Sequence, residues 1–263
     1  RIQGLAAPDA VLIAAGTRRL VGGAFALDNL GRHELKGIDG ETAVFRVTGE
    51  SAAISRFDAA HGVGLTAFVG RETETAILAE RWFQAKDGEG QVVLLCGEPG
   101  IGKSRITQEL RERLAGEPHT RLRYQCSPYH ANSAFHPVIE QVERAAGFAR
   151  DDDSETKLDK LEAVLAQSTD GVAAVAPLFA AMLSLPLERY PPLNLSPQKR
   201  KENTIAELAD QTVGLARSLP VLMILEDAHW SDPTTLEAFG AIISRIQDAA
   251  VLLVITYRPE FAP

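Results

Sequence analysis

Eight consecutive residues, Gly97-Glu98-Pro99-Gly100-Ile101-Gly102-Lys103-Ser104, set three glycines, a lysine and a hydroxyl at the spacing G-x-x-x-x-G-K-[ST]. Glycine lets the main chain curl so that successive N–H groups point inward, where a Cβ would obstruct them. A cradle of that kind suits phosphate oxygens. Lys103 would bring a point charge to the outer phosphates of a nucleotide, and Ser104 an oxygen to Mg²⁺. A helix starting at the same place adds the positive end of its dipole. The chemistry is therefore the binding of ATP with its Mg²⁺.

Hydrolysis needs more: a carboxylate to hold the metal, and often a second to orient the attacking water. Val221-Leu222-Met223-Ile224-Leu225-Glu226-Asp227 supplies both acids at the end of an apolar strand-like run, where open α/β sheets place their ligands. His229 follows, with ring nitrogens able to serve a phosphate or a loop carbonyl. Trp230 reads as a packing residue, and Asp232 before Pro233 as a helix cap followed by the first helical residue. Thr256 and Arg258 close a last apolar run. Either is placed to sense a terminal phosphate, and a plain surface arginine is the alternative.

Placing these groups requires strands alternating with helices, hence a parallel sheet. A helix is expected after Arg71, burying Leu78, Ala79, Trp82 and Phe83. Gln91 to Cys96 reads as a central strand buried on both faces. The helix after the glycine loop carries Ile106, Leu110 and Leu114 on one face and stops near Gly116. Arg121 to Cys126, Val221 to Leu225 and Val251 to Thr256 are further strands. Residues 135–219 are mostly helical, with Leu158, Leu161 and Leu165 on one face and Ile205, Leu208, Leu215 and Leu219 on another, separated by the proline-rich Pro186 to Pro197. Leu236, Phe239, Ile243 and Ile246 form the face of a last helix. Residues 1–48 differ in texture, with short runs such as Val11-Leu12-Ile13 and Ala43-Val44-Phe45 between glycine-rich turns. Residues 49–65 read as a linker, and 66–263 as the main domain.

Composition agrees. A formal charge of −8 over 263 residues disfavours nucleic-acid partners, and Lys199-Arg200-Lys201 reads as a solvated helix face. Cys96 and Cys126 are too few for a disulfide framework or zinc site, and both are expected to be buried thiols. The longest apolar tract, Val172 to Leu187, is interrupted by Pro177, Ser184 and Pro186 and is too short to cross a bilayer. No signal peptide opens the chain, so a cytoplasmic location without membrane partners is expected. With no initiator Met, and an end at Phe261-Ala262-Pro263, the chain reads as a piece of a longer one.

Taken together, the motifs resemble the STAND branch of the AAA-related P-loop ATPases. More narrowly, they resemble the ATPase found behind class III adenylate/guanylate cyclase domains in bacterial signalling proteins. The resemblance rests on Phe68-Val69-Gly70-Arg71-Glu72, Gly97 to Ser104 and Cys126-Ser127-Pro128-Tyr129-His130. It continues in Glu226-Asp227-Ala228-His229-Trp230-Ser231-Asp232-Pro233 and Thr256-Tyr257-Arg258-Pro259-Glu260-Phe261. It implies an α/β three-layer P-loop NTPase fold with a parallel sheet and a helical insertion, truncated at its C-terminal end. A small α+β cyclase tail is expected before it. It also implies that Val69, Gly70 and Arg71 lie by the adenine and ribose. Gly97, Pro99, Gly100, Ile101, Gly102, Lys103, Ser104 and Arg105 would contact the nucleotide. Ser104 and Glu226 would serve Mg²⁺, Asp227 the water, and Arg258 would be a first sensor. Many relatives place Asp before Glu, or pair two Asp. The shorter second acid here is expected to hold water less well. Residues 1–48 are similar to a cyclase tail through Arg1-Ile2-Gln3-Gly4-Leu5-Ala6 and Leu30 to Ile38. Arg1 matches the arginine of that family's Asn-x-x-x-Arg pair, whose partners would all lie upstream. The implied function is a slowly hydrolysing ATP switch attached to a cyclase and to downstream sensor or repeat domains. The rivals are a module that only binds nucleotide, or part of an active cyclase completed upstream.

Overall fold

Strands made of unbroken β-branched and aliphatic residues have no face to give to water, so they belong inside a sheet. Val221–Glu226 and Val251–Tyr257 are of this kind, and they are buried almost throughout. The computed structural model describes residues 2–23, 25–35, 37, 40–50 and 68–261. They divide into two units, Arg1–Phe68 and Val69–Pro263. The first unit contains β1 (Val11–Ala14), α1 (Ala15–Val21), β2 (Phe25–Glu34) and β3 (Glu41–Glu50). In the second unit α2 (Glu72–Lys86), β4 (Gln91–Cys96), α3 (Lys103–Arg113), β5 (Thr120–Gln125), α4 (His136–Ala146), α5 (Ser154–Leu165), α6 (Val172–Met182) and α7 (Pro197–Ala216) come first. They are followed by β6 (Val221–Glu226), α8 (Pro233–Arg245) and β7 (Val251–Tyr257).

The first unit is an antiparallel sheet in the order β1-β3-β2. Among its described residues Leu35, Val44 and Phe45 are buried, and the Arg18 guanidinium lies 4.4 Å from the Phe45 ring centre. Strand β3 runs to Glu50, two residues past the expected end of this segment. Arg1, Lys36, Ile38 and the glycine-closed part of the linker lie outside the described residues.

The second unit is a three-layer α/β domain around a parallel sheet in the order β4-β7-β6-β5. Strand alternation sends Val221, Met223 and Leu225 with Val251, Leu253 and Ile255 toward the core shared with α4–α8. Leu222 and Ile224 face the other way. On that side α2 and α3 bury Leu78, Trp82, Ile106, Leu110 and Leu114. The insertion α4–α7 sits between β5 and β6, its helices begun by Asp153 and Ser196 caps that accept from Thr156 and Lys199 amides. Among the described residues no helix is long and apolar enough to cross a membrane.

Four local expectations change. Among the described residues strand β4 pairs with β7 alone and stands at the edge of the sheet, where its side chains alternate between half-buried and exposed, with Val92 at 37% and Leu94 at 49% exposure. Cys96 follows that alternation and is exposed. Phe83 is exposed beneath the Lys86 ammonium while Ala85 takes the inward position. On α8 the buried face turns by one residue, to Ile242 in place of Ile243, so that Ala238, Phe239 and Ile242 pack inward together.

Candidate functional site

The loop between β4 and α3 is built from backbone that only glycine holds cheaply. Gly100 and Gly102 have φ of 80° and 104°, and a Cβ on either would project into open space in front of the loop. Gly97 continues the sheet by donating to the Tyr257 carbonyl at 3.2 Å. Helix α3 then begins without a side-chain cap or an acid in its first turn, leaving its positive end uncompensated. The Lys103 ammonium lies back over the loop, donating to the Gly97 and Glu98 carbonyls at 2.5 and 3.0 Å.

The segment ahead of α2 is tied to this loop. Arg71 donates to the Ile101 carbonyl at 3.2 Å and pairs with Glu74 at 2.6 Å. Gly70 donates to Glu72 at 3.2 Å, and Val69 is 79% exposed beside it. Arg105 points along its own helix, 3.7 Å from Glu112.

The two acids of β6 have different surroundings. Glu226 is buried, with its Oε2 accepting from Arg123 Nη2 at 2.8 Å. Its Oε1 lies 3.2 Å from Thr107 Oγ1, which is also 3.0 Å from the Ser104 carbonyl, so one hydroxyl proton is shared between them. Asp227 is half-buried at a left-handed φ of 56°. That turn sends its amide to Thr256 Oγ1 at 3.0 Å, and Gln125 Nε2 donates to its Oδ2 at 3.2 Å.

His229 sits at the convergence. Burial pushes its imidazole below the ordinary histidine range. Asp227 opposes that shift, and the Arg258 and Lys103 charges reinforce it. Both of its ring nitrogens are buried without a hydrogen-bond partner among the described residues. Trp230 lies 4.4 Å from the imidazole, and the Arg258 guanidinium lies 4.9 Å from the Trp230 ring and 3.9 Å from Glu260. Asp232 caps α8, accepting from the Thr234 and Thr235 amides at 2.9 and 3.0 Å.

Lys103, Asp227, His229 and Arg258 thus share one electrostatic neighbourhood, and Arg71 reaches the same loop. Glu226 lies one residue away with its oxygens engaged by protein donors. Arg123, Thr107 and Gln125 enter the site without having been singled out from sequence. For Arg123 a signal existed, a charged residue in the middle of a strand, a position charges seldom take unless paired. The donor set fits Mg²⁺ and a polyphosphate: an uncapped helix start, an ammonium, a serine hydroxyl and, among the described residues, a carboxylate without a cationic partner and an imidazole with two unsatisfied nitrogens.

Comparison with known proteins gives one relative of note, an uncharacterized protein of Rhizobium meliloti (strain 1021). It is 30% identical over 262 residues, a match that takes in 100% of this chain and 25% of the relative's length. Residues 67–255, which contain every group of the site except those at the tip of β7 (Thr256, Tyr257 and Arg258), match the AAA ATPase domain. With the sheet, the phosphate loop and the acidic strand end in agreement, the chain belongs to the AAA ATPase domain family.

Proposed function

We propose that the domain from residue 66 onward binds Mg²⁺-ATP, hydrolyses it slowly, and acts as a nucleotide-dependent switch within a longer signalling protein. The observation that carries this reading is that the phosphate loop, with Lys103 and the uncapped start of α3, and Asp227 are held on either side of the tip of β7, Gly97 donating to the Tyr257 carbonyl and the Asp227 amide to Thr256 Oγ1. Lys103 leaves its two loop carbonyls to bind the outer phosphates, while the main-chain amides of Gly100 to Ser104 receive their oxygens. Ser104 and an acid at the end of β6 would hold Mg²⁺, which when bound offsets phosphate charge. Asp227 orients the attacking water, and Arg258 reads the terminal phosphate from the tip of β7. Val69, Gly70 and Arg71 lie against the adenine and ribose, with Arg71 fixed by the Ile101 carbonyl.

The attached partner we propose is a class III cyclase domain, with residues 1–48 as its tail. The support is the motif pair Arg1 to Ala6 and Leu30 to Ile38. Residues 1–48 carry no counterpart of that family's metal-binding half, and no cyclic nucleotide is expected from them. Calorimetric titration of Mg²⁺-ATP into the wild-type chain and the Lys103→Ala variant tests the central claim. The variant is expected to bind about tenfold more weakly or not at all, since it loses the charge set on the phosphates. Equal affinities would refute the assignment.

A further inference from the structure

The first strand-end acid is already neutralised by the protein. Arg123 and Glu226 form a 2.8 Å ion pair with side chains only 11% and 5% exposed. Arg123 stands beside Ile224 in the parallel register, so its guanidinium reaches diagonally along β6 to the carboxylate. Its main chain is held on both sides by α4: its amide donates to Gln141 at 3.0 Å and its carbonyl accepts from Arg144 at 2.8 Å. A guanidinium does not surrender its proton. A divalent cation on Glu226 would therefore lie against a fixed positive charge in a poorly solvated place. That arrangement is strongly repulsive.

Asp227 is in the opposite position. Its carboxylate accepts from the neutral Gln125 side-chain amide, its main-chain amide donates to the Thr256 hydroxyl, and among the described residues no cation is paired with it. It also acts on the same imidazole as Lys103.

We infer that Arg123 is the built-in counter-ion of Glu226, that this pair locks β5, β6 and α3 together, and that Asp227 is the carboxylate that meets Mg²⁺. Thr107 supplies the third attachment. It is one helical turn after Ser104, so the Glu226 carboxylate anchors the phosphate-loop helix to the sheet. Arg123 and Glu226 are positioning residues here. The inference rests on the Mg²⁺-nucleotide reading above and divides the labour between the two acids.

The test compares the full chain with Asp227→Asn, Glu226→Gln, Arg123→Met, Glu226→Leu and the double variant Arg123→Met/Glu226→Leu. Two quantities are measured: the ratio of ATP affinities with Mg²⁺ and with EDTA, and the thermal midpoint. Asp227→Asn is expected to cut the Mg²⁺ dependence about tenfold or more, and Glu226→Gln and the double variant to keep it within about twofold. Arg123→Met and Glu226→Leu should each lower the midpoint by roughly 5–15 °C, with most of the loss recovered in the double variant. Loss of Mg²⁺ dependence in Glu226→Gln with retention in Asp227→Asn would overturn the inference. So would additive midpoint losses. Wild-type chain that binds no nucleotide would refute the phosphate-site reading instead, and the midpoint cycle would still decide the pairing. Glu226→Gln preserves shape and carries the binding readout if the double variant does not fold.

Discussion

Removing the carboxylate of Asp232 is expected to cost stability and spare nucleotide binding. Oδ1 accepts the Thr234 and Thr235 amides, and Oδ2 accepts the Thr235 hydroxyl at 2.5 Å. Asp232 and Thr235 are buried, at 3% and 0% exposure, so water does not replace what is lost. In Asp232→Ala the missing cap costs about 1–2 kcal/mol. The Thr235 hydroxyl, left buried without its acceptor, adds about 1–3 kcal/mol. A total of roughly 2–5 kcal/mol lowers the thermal midpoint of a domain this size by about 5–15 °C. Asp232→Asn keeps one acceptor oxygen and should fall between the two. Circular dichroism melts with parallel urea titrations give the midpoints. Calorimetry on the same samples below the transition gives Mg²⁺-ATP affinity, expected within about twofold of wild type. If Asp232→Ala melts within a degree or two of wild type yet loses nucleotide affinity, the residue is a ligand and the capping argument is wrong.

Gly214 sits where a Cβ would come 2.1 Å from the Ser168 carbonyl oxygen. Gly214→Ala should therefore destabilise by roughly 2–3 kcal/mol in urea titration, and a gain of the size helix propensity alone favours would refute the packing account. Because burial holds His229 below its ordinary pKa, it takes up a proton on unfolding. Its contribution is present above the unfolded value of about 6.5 and is lost as pH falls below it. Thermal midpoints between about pH 5 and 8 should show an acid limb that His229→Gln flattens, and an unchanged limb would count against the assignment. Burial, with the Ser231 hydroxyl opposing, pushes the Cys126 thiol up to about 12, whereas Cys96 is exposed. Ellman's reagent should titrate one thiol in the native chain and both in denaturant; two fast equivalents without denaturant would contradict the burial.

What was legible from sequence was local. The phosphate loop, the cap at Asp232 and the heptad-like leucines of α5 are each specified within a few residues, and β6 and β7 announce themselves by apolar runs longer than chance. The misplacement of β4 has a different origin. Gln91 to Cys96 is as apolar as a central strand, and its place at the edge of the described sheet depends on β7, which lies well over a hundred residues away in the chain. Phe83 and Ile243 show how finely a helix face must be set: adjacent residues differ by about 100° around the axis, so the pattern identifies the stripe but not its centre. The contacts of Glu226 were out of reach for the same reason as the sheet order. Its partners Arg123 and Thr107 lie 103 and 119 residues away, and no periodicity links them.

The order β4-β7-β6-β5 has a consequence for how the molecule is made. Among the described residues the strand carrying the phosphate loop pairs with β7 alone, the last of the described strands. During vectorial synthesis β5, the insertion and β6 can assemble as they leave the ribosome, while β4 waits beside them with its apolar side chains unpaired. The site closes only when Tyr257 is out and the Gly97 amide finds its carbonyl. Chains arrested before that point should expose a sticky strand and lack affinity for nucleotide.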